Sequence, residues 1–399
     1  MVRAALALCL FAGCELFAGI PEPANEGLGD GGTDDVVVST CASSEDCGAP
    51  RPLCELQSGA CVECLGAADC GAAEPACVEH ACARCTSDDQ CAAGVCLLDG
   101  TCAAEARIAY AAPTGTGAGC TMAMPCSFDV AVTKLSPTTD VIKLAAGTYA
   151  RTVTTTITTK AIIAGTGATF DGSGGQGDAM LTDSGADLTV TGLALESLDM
   201  GGIACMGAGT VRLDRVSIEG VSFGMYANPC TTEIRRSRFI GNSFYAMYLR
   251  DSAATVQNVE IARNGNTQFQ IAAIVLETVT GSLEHATVTL NTGIGAPTAI
   301  QCTTSPAFAI KSSIFFQNTM DAACNVSYSV VDTGFVGGTN NVEVDPMFVA
   351  SATNDFHLSP GSPATNIADP ASTVNIDRDG DPRPLPVGSR ADVGADEIP

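Results

Sequence analysis

Between residues 187 and 320 one short phrase recurs every twenty-odd residues. Its copies read DLTVTGLALES from Asp187, VRLDRVSIEG from Val211, TEIRRSRFIGN from Thr232, ATVQNVEIARN from Ala254, GSLEHATVTLN from Gly281 and FAIKSSIFFQN from Phe308. Aligning Val190, Leu213, Ile234, Val256, Leu283 and Ile310 gives spacings of 23, 21, 22, 27 and 27 residues. A second stripe lies between the copies, with apolar pairs Ile203/Cys205, Met225/Ala227, Met247/Leu249, Ile274/Leu276 and Ile300/Cys302. One outward residue between two inward ones is the strand period. A unit this short cannot bury its own apolar face and must stack on copies of itself. The stretch is therefore expected to form a coil of about eight or nine short-stranded rungs. Periodicity alone also fits a leucine-rich solenoid, but the turns are short and no segment has helix length.

Asn242, Asn264, Asn291 and Asn318 each fall eight residues after the aligned aliphatic. At a recurrent inward bend their amides need partners on their own or adjacent rungs. An asparagine ladder is the structural expectation; an Asn-lined ligand groove is the functional one.

The pattern resembles the right-handed parallel β-helix family of pectate lyases and polygalacturonases, over residues 111–350. It opens with DVIKLAAGTYA from Asp140, which looks like a first coil. The resemblance implies an all-β, right-handed, single-stranded parallel β-helix, and parallel connections favour that hand. The segment 351–399 contains DFHLSPGSPATN, DRDGDPRP and ADVGADE. It resembles the segment that follows the last rungs in secreted bacterial choice-of-anchor β-helix proteins, and is expected to cover the open edge of the solenoid. No sorting anchor follows it here, which suits attachment at the other terminus.

Twelve cysteines between Cys41 and Cys102 fall into three groups of four: Cys41, Cys47, Cys54, Cys61; Cys64, Cys70, Cys77, Cys82; and Cys85, Cys91, Cys96, Cys102. Each group opens C-x5-C, with Asp or Gln before the second Cys. Cys61-x2-Cys64 and Cys82-x2-Cys85 have zinc spacing but straddle the group boundaries. Six disulfides, standing in for a hydrophobic interior these units lack, are expected. The units resemble the short cysteine-rich repeats of exported proteins from myxobacteria and their relatives. The remaining pairs, Cys120/Cys126, Cys205/Cys230 and Cys302/Cys324, are spaced to brace the coil.

Residues 1–14, MVRAALALCLFAGC, form a short export signal whose end resembles a bacterial lipobox, with Phe11 where Leu is usual. The resemblance makes Cys14 a lipidated first residue and an envelope lipid its partner. Residues 15–40 are acidic and Gly-rich, as a flexible tether requires. Export is expected, with a lipid-anchored position on the cell envelope or outer surface, or otherwise an extracellular one. The 20 cysteines agree with an oxidising compartment.

The net charge is -25, which argues against a nucleic-acid partner. A lyase or hydrolase of this fold needs clustered carboxylates and a base. The candidates are Asp214, Glu233, Arg236 and Arg238, with Glu260, Glu284, Arg215, Arg235, Arg263 and Lys311 as further outward charges. His80, His285 and His357 lie in separate segments and suggest no catalytic pair. The chain has no Trp, but Tyr226 and Tyr248 take the outward position of the second stripe on adjacent rungs. Phe223, Phe244, Tyr245 and Phe269 lie close by. Such a strip can bind polysaccharide or a surface protein, or pack beneath the loop from Asn264 to Gln270. Asp377, Asp379 and Asp381 begin like a calcium loop, yet Gly388 stands where an EF-hand needs Glu. No cofactor is expected beyond a weak Ca²⁺ site. These features favour a non-catalytic envelope or surface protein for adhesion, recognition or structure. A polysaccharide lyase or glycoside hydrolase is the alternative.

Overall fold

Stacking follows the sequence alignment residue by residue. Val190 pairs with Leu213, Leu213 with Ile234, Ile234 with Val256, Val256 with Leu283 and Leu283 with Ile310, always between parallel strands. The second stripe does the same through Ile203, Met225, Met247, Ile274 and Ile300. All eleven of these side chains are buried. The computed structural model describes residues 40–173, 181–295, 297–335 and 337–398. The expected signal segment, Cys14 and nearly all of the expected tether lie outside the described residues.

The coil is three-sided. A 17-stranded sheet forms two of its faces and a seven-stranded sheet the third. Counted on that third face, the described residues make seven full turns, with two-sided turns at the ends. This is fewer than eight or nine, because the terminal rungs lack the third strand. Corners between the first and second faces carry one left-handed residue per turn: Gly192, then Arg215, Arg236, Asn258, His285 and Ser312. At the N-terminal end, the short helix Phe128–Val132 covers the core. Its Phe128 ring meets Phe170 edge-on, with centroids 4.7 Å apart.

The asparagines form a continuous buried column. The Oδ1 of Asn264 accepts from Asn242 N–H at 3.1 Å and from its side-chain amide at 2.9 Å. Asn291 does the same for Asn264 at 2.9 and 3.0 Å, and Asn318 accepts from Asn291 N–H at 3.1 Å. The bend exposes backbone donors to a dry interior, and the amides answer them.

Two units of the chain meet at Val62 and Glu63. The described part of the first is one cysteine repeat, closed by Cys41–Cys54 and Cys47–Cys61. The second unit holds the other two repeats, closed by Cys64–Cys77, Cys70–Cys82, Cys85–Cys96 and Cys91–Cys102, together with the coil. The pairing is first-to-third and second-to-fourth throughout. The Asp or Gln before each second Cys closes a single 3-10 turn. Asp46 accepts from the N–H of Ala42 and Ser43, Asp69 from Leu65 and Gly66, and Gln90 from Thr86 and Ser87. The third repeat docks on the coil through Lys143–Asp88 at 2.6 Å and through Tyr110 Oη donating to Ala93 O. Disulfides also join Cys120–Cys126, Cys205–Cys230 and Cys302–Cys324.

The C-terminal segment lies along the flank of the coil. The outward column of the second face reads Glu196, Glu219, then Ile240, Ala262. Polarity is lost where cover begins: Phe356 packs on Ile240 and Ala262, and Leu358, Ala364, Ala368 and Val393 pack with Ile314 and Val330. Burial of these outward apolar residues is the reason the tail runs down the side.

Candidate functional site

Two surfaces concentrate chemistry. The first is on the third face, where successive turns lie in register. Tyr226 and Tyr248 pair across adjacent strands and their rings stack, 5.5 Å between centroids and 25° apart. Phe223 stacks on Phe244 at 5.3 Å and on Tyr245 at 5.8 Å, and Tyr245 meets the edge of Tyr248 at 5.2 Å. Phe269 completes the row against Phe244 at 5.6 Å. The loop from Asn264 to Gln270 adds a ring to the strip, and Phe269 is itself 49% exposed. The other five rings are half-buried.

Polar groups border this row. Asn228 donates to Tyr226 Oη at 3.4 Å. Burial, reinforced by a hydrogen bond to Glu277, pushes the Tyr248 hydroxyl up to about 12, so it stays a donor at any physiological pH. Arg250 lies 3.7 Å from the same Glu277. Apolar ring faces beside fixed donors and acceptors suit a ligand with an apolar face and a hydroxylated rim.

The second surface is a cleft of 560 Å³. Its floor is the corner column, with Asp214, Arg215, Arg235, Arg236 and Asn258. The third cysteine repeat forms one wall with Arg84 and Asp99, and Thr373–Ile376 of the tail form the other. Asp214 and Arg236, two of the four carboxylate and base candidates, meet here. Arg236 Nε and Nη2 grip the buried Asp214 carboxylate at 2.8 and 2.6 Å, and Arg215 Nε adds a contact at 3.1 Å. Glu233 lies on the first face, 3.4 Å from Arg212 and 3.7 Å from Arg235. Arg238 lies on the second face, between Glu219 at 3.4 Å and Glu260 at 3.7 Å. The four do not converge. Of the further charges, Lys311 pairs with Asp369 at 3.0 Å and Arg263 holds Asn354 at 2.8 Å.

The aspartates of the tail have structural tasks. Asp377 is fully buried; its Oδ1 accepts from the N–H of Asp379, Gly380 and Asp381, each at 2.8 Å, and its Oδ2 from Glu397 N–H at 3.1 Å. Asp379 pairs with Arg378 at 3.1 Å. His357, Asp379 and Asp396 bring possible ligand atoms within 4.8 Å. Both nitrogens of His357 are engaged, Nδ1 by Asp355 at 2.5 Å and Nε2 by Asp379 at 3.1 Å. Carboxylates accept only, so this pairing favours the protonated imidazole. The three Cys clusters with metal-like spacing are the disulfides.

Comparison with known proteins supports the architecture. A family model described as "Right handed beta helix region" matches residues 156–347, just under half of the chain. The coil is a right-handed parallel β-helix. Among solved structures it is similar to the pectate lyase Pel9A, at 15% identity, covering 74% of this chain and 97% of that one, with a TM-score of 0.35. No activity follows from a likeness at that level. No curated protein sequence matches the chain.

The sequence pointed to Tyr226, Tyr248, Asp214 and Arg236, but not to Asn258 or Arg84 as members of a site. Arg215, Arg236 and Asn258 stand two residues after Leu213, Ile234 and Val256, so their alignment in one column was readable. Arg84 carries no such signal.

Proposed function

We propose that the protein is a non-catalytic glycan-recognition protein of the cell envelope, exported and held there by a lipid on Cys14. The observation that carries this reading is the row of six aromatic rings on the third face, from Phe269 to Tyr226, bordered by Asn228, Tyr248 Oη and Arg250. A sugar ring offers C–H groups to the aromatic faces and hydroxyls to the border. Nine disulfides among the described residues support an oxidising location, and the lipobox resemblance at Leu10–Cys14 supports the anchor.

The test is retention of the full chain on insoluble and soluble polysaccharides by affinity electrophoresis. Tyr226→Ala with Tyr248→Ala should abolish retention while leaving the melting temperature within a few degrees. Equal retention by the double variant would sink the platform. The enzyme alternative is favoured by one observation, the Asp214–Arg236 pair in a cleft. The bidentate pairing opposes it, since each group neutralises the other. Cleavage of a uronate polymer with Ca²⁺, lost on Arg236→Ala, would reverse this choice.

A further inference from the structure

Four arginines face one cleft in a chain of net charge -25. Arg84, Arg215, Arg235 and Arg236 line it, against Asp99 and Asp214 alone among acidic groups. The local balance is therefore cationic. Asp214 is committed to Arg236 and Arg215, and is buried beneath them. Much donor capacity remains. Among the described residues, the terminal nitrogens of Arg215 make no hydrogen bond, nor does Nη1 of Arg236. Arg84 makes one, from Nη1 to the Asp99 carbonyl at 3.1 Å, and no carboxylate lies within ion-pair distance of it. Arg235 lies 3.7 Å from Glu233 and is half-exposed.

The cleft is also built. Arg215, Arg236 and Asn258 hold left-handed backbone, with φ of 55°, 48° and 53°. That conformation is strained for a side chain with a Cβ. It stacks the three residues on successive turns of one corner. The Arg84 stem lies across Gly100, whose φ is +78°, and a Cβ there would stand 2.6 Å from Arg84 Cβ. The tail reaches this corner only as far as Asn258, whose side-chain amide donates to Ile376 O at 2.8 Å. Asn258 is 3% exposed, and its Oδ1 has no partner. A buried acceptor left open is costly. An anion alone cannot satisfy it, because it needs a donor.

We infer that this cleft binds an oxyanion ester carried on a hydroxylated sugar, a phosphate or a sulfate. Guanidinium forks from Arg84, Arg215 and Arg235 take the ester oxygens, as their planar donors fit such groups in pairs. A sugar hydroxyl donates to Asn258 Oδ1. The site is independent of the aromatic row on the third face.

Calorimetric titration of the full chain, with disulfides intact and at low salt, separates the sources. The probes are glucose 6-phosphate, glucose 6-sulfate, inorganic phosphate, inorganic sulfate and glucose. Binding of either ester, roughly tenfold tighter than its inorganic anion and with glucose silent, is the expected result, and the ester that binds identifies the source. Arg84→Ala with Arg235→Ala removes two surface side chains and should weaken the ester at least tenfold. Asn258→Ala should erase the advantage of the ester over the inorganic anion. The inference is overturned if neither ester binds, if glucose binds as well as they do, or if the arginine pair can be removed without effect. An Asn258→Ala variant that keeps the full ester preference also overturns it.

Discussion

Asn264 Oδ1 accepts two hydrogen bonds from Asn242 on the preceding turn, one from the backbone N–H and one from the side-chain amide. Its own amide donates to the carbonyls of Phe239 and Ala262, at 2.9 and 3.0 Å. That amide also donates to Asn291 Oδ1 on the next turn at 3.0 Å, so one side chain serves three turns of the coil.

Asn264→Ala leaves those donors and acceptors unpaired in a site from which water is excluded. Each orphan costs about 1–3 kcal/mol, with partial relaxation. A loss of about 2–4 kcal/mol is expected by urea unfolding. Asn318→Ala, at the end of the column and 7% exposed, should cost less. Equal losses would mean the column does not act as a connected network.

His357 gives the tail a pH dependence. Partial burial pushes its pKa down, but the hydrogen bond to Asp355 and the charges of Asp396 and Asp379 outweigh that and leave it raised. A raised imidazole contributes fully below its unfolded value of about 6.5 and loses that contribution as pH rises through the folded value. Thermal melts of the parent and of His357→Gln should therefore differ most near pH 6 and converge in mild alkali. A gap that widens with rising pH would contradict the assignment.

Reduction should separate the cysteine repeats from the coil. The interior of the last two repeats is Ala76 packed with Cys85, Cys91 and Cys96, so the cross-links are themselves the core. A disulfide closing a loop this short contributes on the order of 2–4 kcal/mol. Limited proteolysis with a mild reductant should cut within residues 41–102 while the coil beyond residue 140 survives. First cleavage within the coil would show that its own bridges, such as Cys205–Cys230, are limiting.

Fatty-acid labelling in the producing cell tests the anchor. Label should enter the parent chain and be absent from Cys14→Ser. Equal labelling of the two would place lipid elsewhere or remove it from the account.

The register of the coil was legible from residue types because the pleat has period two and each rung must lay like on like. Val190, Leu213, Ile234 and Val256 could stack in no other way without turning their neighbours into the core. The asparagine positions followed from the same register, and the grouping of cysteines from their spacing. Which cysteine joins which was not legible, since spacing leaves several pairings open for four residues. The tail was expected over an open edge, yet it covers the flank. The outward switch from Glu219 to Ile240 becomes meaningful only once the second face is known to need cover.

The sequence by itself determined the repeating strand, the inward column and the closed cysteine units, because each depends on contacts between equivalent positions of neighbouring copies. The six rings were readable as a strip from the same register, and the structure added how they stack. Tertiary structure alone decided the arginine cleft, whose members come from separate turns, from the third cysteine repeat and from the tail. Their proximity depends on how far each cover extends along the coil, and no periodicity records that distance.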